Sequence, residues 1–317
     1  MADLANVHAE YDHHASKQSM QCIGLIALQC RHDPQMSLKE MGMKPEAWIF
    51  VCAATLFAIK VAQGRHRNVH RLQDGYIITA SFIGAFVMRP IMAFLTALVI
   101  GALLPQGRGA LASVPAWAAF PVLLITAEFA QYWLHRWAHD SNRHPILYGM
   151  HRTHHSAPYV NTTLLYRSNF CWGLIHPYSW VSALALYAGQ TEAAVLFYLT
   201  ILLWNVITHS DWRWDDTIIA RVPGGLRIVQ AFELLLVTPR IHHTHHGYGK
   251  DGKAYRNFNT MLTVFDRLFG TLHVPEGRPW RYGLPGGERH WLGQILFPLV
   301  PLGPVRRRDR RNRVVQD

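Results

Sequence analysis

The sequence predicts an all-α protein: an integral-membrane helical bundle of about four to five membrane-embedded helices, with a His-rich helical cap that faces the cytosol. The first observation behind this is composition, because 50% of the 317 residues are apolar and only 16% are charged, against about a quarter charged in soluble domains. The second is that apolar runs of near-spanning length recur along the chain. The third is an excess of histidine, 20 residues, clustered beside those runs. This composition excludes a disordered chain and a small disulfide scaffold.

Residues 1–46 are predicted to form a peripheral N-terminal segment with a short amphipathic helix at Ile23–Leu28. The chain begins with polar, acidic and His-bearing residues rather than a basic stub before an apolar run, so we expect no cleavable signal. Residues 47–288 hold the apolar runs and the histidine clusters and form the membrane domain. Residues 289–317 are predicted to be an interfacial segment, with a short apolar stretch at Trp291–Leu302, followed by a basic C-terminal tail.

Five apolar runs carry the membrane prediction, since about 20 apolar residues cross a bilayer. They are Ala47–Gln63, Tyr76–Leu104, Pro115–Leu134, Phe170–Ala188 and Glu192–Ile207. The second run is interrupted by Arg89-Pro90, so it forms either one tilted, kinked span or a re-entrant pair of half-helices. A large soluble protein with buried helices is the alternative, but five such runs are hard to bury in one soluble domain.

The net charge of +11 is unevenly distributed. Basic clusters stand at Arg65-His66-Arg67, at Arg71 and in the tail from Val305 to Asp317, which holds six arginines. Positive charge beside membrane spans is typical of the cytoplasmic face. Charge alone would also allow nucleic-acid binding, but the apolar runs favour membrane lipids as the partner. The four cysteines form no Cys-x-x-Cys pair, which predicts reduced, mostly packed thiols.

The histidines form three clusters with the spacing of metal ligands. The first is His135-x-x-x-His139, and the other two share the pattern His-x-x-His-His at 151–155 and 242–246. Histidines three or four residues apart share one face of a helix, whereas an adjacent pair directs its imidazoles two ways, as two neighbouring metals require. Chance would give a His-x-x-His-His pattern roughly 0.08 times in such a chain, so two copies point to function rather than to a surface patch of histidines.

The identity of the metal does not follow from these patterns. Neutral imidazole suits Zn, Cu, Fe and Ni. No His-Glu-x-x-His motif of a zinc protease is present, and a catalytic zinc needs only three protein ligands. The residues therefore predict a dinuclear transition-metal site at the membrane surface and leave the metal open.

Between residues 75 and 275 the chain resembles the fatty acid hydroxylase/sterol desaturase superfamily of integral-membrane non-haem di-iron oxygenases. The resemblance rests on Glu128-Phe-Ala-Gln-Tyr-Trp-Leu-His135-Arg-Trp-Ala-His139, on His151-Arg-Thr-His154-His155, on His209-Ser210, and on Thr238-Pro-Arg-Ile-His242-His-Thr-His245-His246-Gly247. Asn257-Phe and the stretch from Phe265 to Thr271 extend it. The sequence departs from the pattern at Asp211, at Ile241, and at Arg167-Ser-Asn169, which replaces an Arg-x-His element. An insertion before the second cluster contains His144.

The resemblance implies a di-iron catalytic domain over residues 47–288, with O2 as co-substrate. The two iron ions would be held by His135, His139, His151, His154, His155, His209, His242, His245 and His246. His243 falls in a variable position. For a carboxylate that orients a ligand imidazole, the sequence offers Glu128, seven residues before His135 on roughly the same helical face. The alternative role for Glu128 is that of a buried acid paired with Arg or Lys.

Further acidic candidates near the site are Asp140, Asp211 and Asp266, although Asp266 with Arg267 is better explained as a local salt bridge or cap that positions the last loop. Aromatic residues are expected to line an apolar substrate channel: Tyr132, Trp133, Tyr148, Tyr166 and Trp204.

The activity implied by the resemblance is hydroxylation of an unactivated C–H bond in a lipid, sterol or other hydrophobic substrate. Two external electrons would come from a separate donor of the ferredoxin or cytochrome b5 type, because no haem-binding His-Pro-Gly-Gly element is present. The alternatives are a desaturase, an ether-cleaving oxygenase of the same superfamily, and a non-catalytic membrane metal-binding or transport protein. A transporter would carry its histidines within the spans, whereas here they lie at span ends and in loops.

Overall fold

The structure is a computed structural model that describes residues 71–285 and 287–304, with scattered positions between residues 48 and 62. Three predicted regions lie outside the described residues: the N-terminal segment 1–46 with its amphipathic helix, most of the run Ala47–Gln63, and the basic tail from Val305.

The longest helix in the described part of the chain is α1 (Leu72–Leu103), which has 32 residues and is therefore about 48 Å long. It continues through Arg89-Pro90, so of the two predicted arrangements the single helix is found and the pair of half-helices is not. Asp74 in its first turn accepts a hydrogen bond from the backbone N–H of Arg71 at 2.7 Å, which caps the helix start.

Helix α2 (Ala116–Ala138) and helix α6 (Thr191–His209) form the centre of the fold, and α5 (Pro177–Tyr187) packs on both. Their contact is a buried apolar cluster of Leu124, Ala127, Tyr178, Phe197 and Ile201. Both central helices end in histidines. Helix α3 (Pro145–His155) packs on α2, and helix α9 (Pro239–His246) packs on α6. The second and third histidine clusters, which lie on α3 and α9, therefore come to the same end of the central pair.

The predicted run Phe170–Ala188 is not one helix, and this expectation was wrong. It is divided into α4 (Phe170–Ile175) and α5, with His176 between them in an extended conformation. The physical reason is Pro177, which has no N–H and disfavours helical backbone at the residue before it. At 11 residues or fewer, neither piece reaches the roughly 30 Å of a hydrocarbon core.

The remaining elements are short, and they are α7 (Trp214–Arg221), α8 (Gly225–Phe232), α10 (Val264–Leu268) and α11 (Trp291–Leu296), with 3-10 turns at Pro105–Gly107 and Thr162–Tyr166. Two short strands, β1 (Gly247–Tyr248) and β2 (Arg281–Tyr282), pair antiparallel. The mostly helical prediction is confirmed, with this small sheet as the exception.

Across the described part of the chain, one helix is long and apolar enough to cross a membrane, and that is α6. Phe94–Leu103, the second half of α1, is a shorter apolar segment. Of the four to five predicted membrane spans, the described residues therefore support one directly. Many large apolar side chains are nevertheless exposed on α1 and α2, among them Ile83, Phe94, Leu98, Trp117, Val122 and Ile125.

Candidate metal centre

Nine histidine side chains converge in two adjacent groups. The five-histidine group consists of His135, His139, His151, His155 and His245, and the four-histidine group consists of His154, His209, His242 and His246. Within each group the potential ligand nitrogens lie within 4.8 Å of one another. These are the nine residues singled out from the sequence, and no other histidine belongs to either group among the described residues.

Local helical geometry explains how the rings divide. His135 and His139, four residues apart at the end of α2, both face the five-histidine group. The adjacent residues His154 and His155 on α3 join different groups, and so do His245 and His246 on α9. The two groups meet where the rings of His155 and His246 stack, with their centroids 4.4 Å apart.

The distances between ring nitrogens fit metal coordination. In the five-histidine group, the Nε2 atom of His245 lies 3.0 Å from that of His135 and 3.1 Å from that of His155. In the four-histidine group, neighbouring Nε2 atoms lie 2.9–3.2 Å apart. A nitrogen binds such an ion at about 2.1 Å. When two nitrogens bind the same ion at a right angle, the distance between them is about 2.1 Å multiplied by the square root of two, which is about 3.0 Å.

Backbone carbonyls fix which nitrogen of each ring carries hydrogen. The Nδ1 of His135 lies against the carbonyl of Phe258, and the Nδ1 of His245 lies 2.7 Å from the carbonyl of Arg256. A carbonyl only accepts, so each Nδ1 donates its hydrogen and each neutral ring presents a bare lone pair at Nε2. These two lone pairs face each other at 3.0 Å, an arrangement that a shared cation stabilises.

The same pattern holds in the second group. The Nδ1 of His209 donates to the carbonyl of Asn205 at 3.0 Å, which leaves its Nε2 facing those of His154 and His242. The buried Nε2 of His139 also lacks a hydrogen-bond partner. The donor set therefore fits metal ions better than it fits a network of histidines bonded to one another.

Burial keeps the rings neutral. It lowers the pKa of His245 and His246 well below the ordinary value, and the neighbouring histidines lower it further. The pKa of His151 is lowered for the same reasons. Since the neutral imidazole is the form that binds metals, these ligands are ready at neutral pH.

Glu128 is not bonded to a histidine in the way its spacing predicted. Its carboxylate accepts hydrogen bonds from the backbone N–H groups of Met261 at 3.0 Å and Leu262 at 2.8 Å, and from the hydroxyl of Tyr178. Seven residues along a helix is about 10.5 Å of rise, too far for direct contact with His135. Among the described residues, no Arg or Lys pairs with Glu128 either. It holds the loop that follows Phe258, and so supports His135 indirectly.

Asp266 holds the same loop from the other side. It accepts from the backbone N–H groups of Phe258 and Asn259, each at 2.8 Å, and from the Thr271 hydroxyl at 2.7 Å. Burial raises its pKa. The carboxylate therefore positions the last loop, as expected from the sequence. Asp140 and Asp211 belong to neither histidine group.

We expect Asp266→Asn to weaken metal retention by the five-histidine group and to lower stability by about 1–3 kcal/mol, because an amide NH2 must then face a backbone N–H. The measurement is metal content and thermal unfolding of the purified chain. Asp140→Asn is the matched control, since Asp140 also accepts from backbone N–H groups but at an exposed turn. Equal behaviour of the two variants would contradict the role given to Asp266.

An ion-pair network that sequence reasoning missed anchors α9. Asp215 accepts from the backbone N–H of Arg240 in the first turn of α9 at 2.6 Å and pairs with Arg278 at 2.6 Å. The Arg240 guanidinium binds both carboxylate oxygens of Glu233, at 2.6 and 2.7 Å. His243 on the same helix lies outside both groups, and its Nε2 lies 3.1 Å from the Ser210 carbonyl.

A cavity of about 230 Å³ reaches both groups. Six histidines line it: His135, His151, His154, His209 and His242, which belong to the two groups, and His176, which belongs to neither. Most of the remaining wall is apolar or aromatic and includes Met88, Phe170, Trp172 and Ile201. Of the five aromatic residues expected along a channel, Tyr166 lines the cavity, while Tyr132, Trp133, Tyr148 and Trp204 do not.

Comparison with known proteins points to one family. The model of the fatty acid hydroxylase family matches residues 120–271, a segment that contains all nine histidines. An alkylglycerol monooxygenase of Danio rerio is 32% identical over 57% of this chain and 36% of its own length. One from Xenopus tropicalis is 28% identical over 68% of this chain and 44% of its own. A Delta(7)-sterol 5(6)-desaturase of Gibberella zeae is 24% identical over 56% of this chain and 44% of its own length.

The chain thus spans well under half the length of these curated relatives. No solved structure matches it.

Proposed function

Because residues 120–271 belong to the fatty acid hydroxylase family, we propose that the chain is a membrane-bound di-iron oxygenase. Its reaction is hydroxylation of an unactivated C–H bond in a lipid, sterol or other hydrophobic molecule. The observation that carries the proposal is the pair of histidine groups, whose neutral rings turn bare Nε2 lone pairs towards each other.

Each group holds one iron in this proposal. Bound iron supplies the activation of dioxygen, with two external electrons, that breaking a strong C–H bond requires. The remaining work belongs to the chain. The carbonyls of Phe258, Arg256 and Asn205 fix ring orientation and tautomer, as partners of metal-bound histidines generally do. The apolar cavity wall excludes water from the reacting centre.

The cavity supports a hydrophobic substrate that enters from a membrane. Part of its wall is α1, through Ser81, Gly84, Ala85 and Met88. The same helix exposes large apolar side chains, such as Phe94 at 63%, and contiguous exposed apolar surface is typical of a lipid-facing region. The basic clusters favour a cytoplasmic orientation of the metal centre.

Two alternatives within the superfamily have support from relatives. The alkylglycerol monooxygenases favour ether cleavage, in which a hydroxyl placed on the carbon beside the ether oxygen gives a hemiacetal that separates into an aldehyde and an alcohol. The sterol desaturase favours removal of a second hydrogen instead. A transport protein is disfavoured, because the nine histidines gather at the ends of α2, α3, α6 and α9 rather than along a path.

The electron donor in this proposal is a separate protein of the ferredoxin or cytochrome b5 type that binds the basic clusters of the sequence. Association between oppositely charged surfaces slows as salt rises. Turnover with such a donor should therefore fall with ionic strength, and turnover that is independent of salt would remove this docking step.

Incorporation of labelled oxygen tests the proposed activity. We expect the iron-loaded chain in detergent, given a chemical reductant and 18O2, to place one 18O atom in a product of a sterol, a long-chain alcohol or 1-O-hexadecylglycerol. His154→Ala should abolish this incorporation, and His144→Ala should retain it, because His144 lies outside both groups. Failure of iron-loaded protein to take up oxygen with any of these substrates would contradict the proposal.

A further inference from the structure

We propose that Gln131 binds a hydroxyl group of the substrate beside the five-histidine group, and that the substrate is consequently a neutral, hydroxyl-bearing amphiphile. This inference rests on the proposed function and deepens it. Gln131 precedes His135 by four residues on α2, so the two side chains share one helical face. Both line the cavity.

The Gln131 side chain is buried but incompletely paired. Only 4% of the residue is exposed, and its Oε1 atom has no hydrogen-bond partner. A buried carbonyl oxygen without a donor is costly and is uncommon in folded proteins. Because the Gln131 residue lines the cavity, a turn of its amide presents this oxygen to a ligand, and a ligand with an O–H group would satisfy it.

Three other polar side chains on the wall already have partners. The Asn205 amide donates to the Ile201 carbonyl of its own helix at 2.9 Å. The Asn169 amide donates to the carbonyls of Gln294 and Phe297, and the Tyr178 hydroxyl donates to Glu128. Among the described residues of the wall, Oε1 of Gln131 is the buried side-chain oxygen that has no hydrogen-bond partner.

The absence of charge on the wall narrows the ligand class. None of the described residues that line the cavity is Lys, Arg, Asp or Glu. An ionised carboxylate or phosphate held at Gln131 would have no positively charged side chain beside it, and burying a charge without such a partner is strongly unfavourable. The wall therefore favours a neutral head group over a free fatty acid.

The position of Gln131 also restricts which bond is oxidised. Four residues of helix correspond to about 6 Å of rise, so a hydroxyl held at Gln131 lies about one helical turn from His135. The C–H bond presented to the metals is then within a few bonds of that hydroxyl. Long-chain alcohols, glyceryl ethers and sterols with a ring hydroxyl meet this condition.

Equilibrium binding to the metal-loaded full chain in detergent, without reductant, tests the inference independently of turnover. The probes are tritiated hexadecan-1-ol, methyl hexadecyl ether and palmitate at pH 7. We expect wild-type protein to bind the alcohol roughly fivefold more tightly than the ether, the value of one hydrogen bond between neutral groups, and to bind palmitate more weakly than the alcohol. Gln131→Leu should reduce alcohol binding to the level of the ether.

Met88→Leu is the matched control, because it changes the same wall without removing a polar group and should keep the preference. Gln131→Met serves as a second variant of similar shape if the leucine variant does not fold. Equal binding of alcohol and ether by wild type, survival of the preference in both Gln131 variants, or no binding of any probe would each overturn the inference. A protein that binds the alcohol through Gln131 but incorporates no labelled oxygen would contradict only the proposed oxygenase activity.

Discussion

Arg167→Met is expected to lower the free energy of unfolding by about 3–5 kcal/mol, the usual cost of removing one partner of a buried ion pair. The Arg167 side chain is fully buried and forms ion pairs with Asp74 at the start of α1 and with Glu288. It also donates to the Thr153 carbonyl at 3.2 Å and to the Ser156 hydroxyl at 3.0 Å, at the end of α3. Methionine keeps the volume, but it leaves the buried carboxylate of Asp74 without its cation and leaves Glu288 with the more distant Arg71, 3.9 Å away.

Denaturant unfolding in detergent, followed by the helical circular dichroism signal, measures this effect. The matched control is Arg143→Met, because Arg143 pairs with Asp140 at the surface, 3.8 Å apart and with its own side chain 83% exposed, and such pairs contribute little. If both variants unfolded at the same denaturant concentration as wild type, Arg167 would not be the link between α1, α3 and the segment around Glu288.

Selective loss of metal is the second large effect that we expect. His246→Ala should remove the ion of the four-histidine group and leave the other, whereas His151→Ala should do the reverse. Reductant-dependent oxygen uptake should fall at least about 100-fold in both, since loss of even a residue that supports a ligand costs 10- to 100-fold. Metal analysis per chain gives the occupancy, with His144→Ala as the control.

An outcome in which either variant lost both ions, while its circular dichroism stayed native, would mean that the two groups bind metal as one unit. Full retention of metal by both variants would exclude these two rings as ligands.

The candidate ligands could be recognised from the sequence because the information is local. Spacings of three and four residues determine which rings share a helical face. In the adjacent pairs at 154–155 and 245–246, the two rings of each pair must point in different directions, one to each group. The assignment of His209 depended on family resemblance, since a lone histidine carries no spacing. The meeting of His135 with His245, which are 110 residues apart, is a tertiary contact that no local pattern contains.

The residues that orient the histidine rings were harder to predict, because they act through their backbone carbonyls and not through their side chains. The carbonyls of Asn205, Arg256 and Phe258 orient three rings, and any residue type has a carbonyl. Glu128 was placed on the correct helix but assigned the wrong partner, because the backbone N–H groups that bind its carboxylate lie in a loop more than 130 residues later.

Hydropathy alone also did not predict where the helices begin and end. The run Phe170–Ala188 is apolar enough to suggest a span, yet Pro177 divides it. In α1 the interruption at Arg89-Pro90 did not break the helix. The effect of a proline thus depends on packing that the sequence does not display.

Metal content of the detergent-purified full chain, combined with iron-specific spectroscopy, tests whether the nine histidines hold two iron ions. We expect about two iron ions per chain, with a spectrum dominated by nitrogen ligands and reductant-dependent oxygen uptake. Zinc alone in protein produced with ample iron, with no oxygen uptake under any reductant, would contradict this expectation.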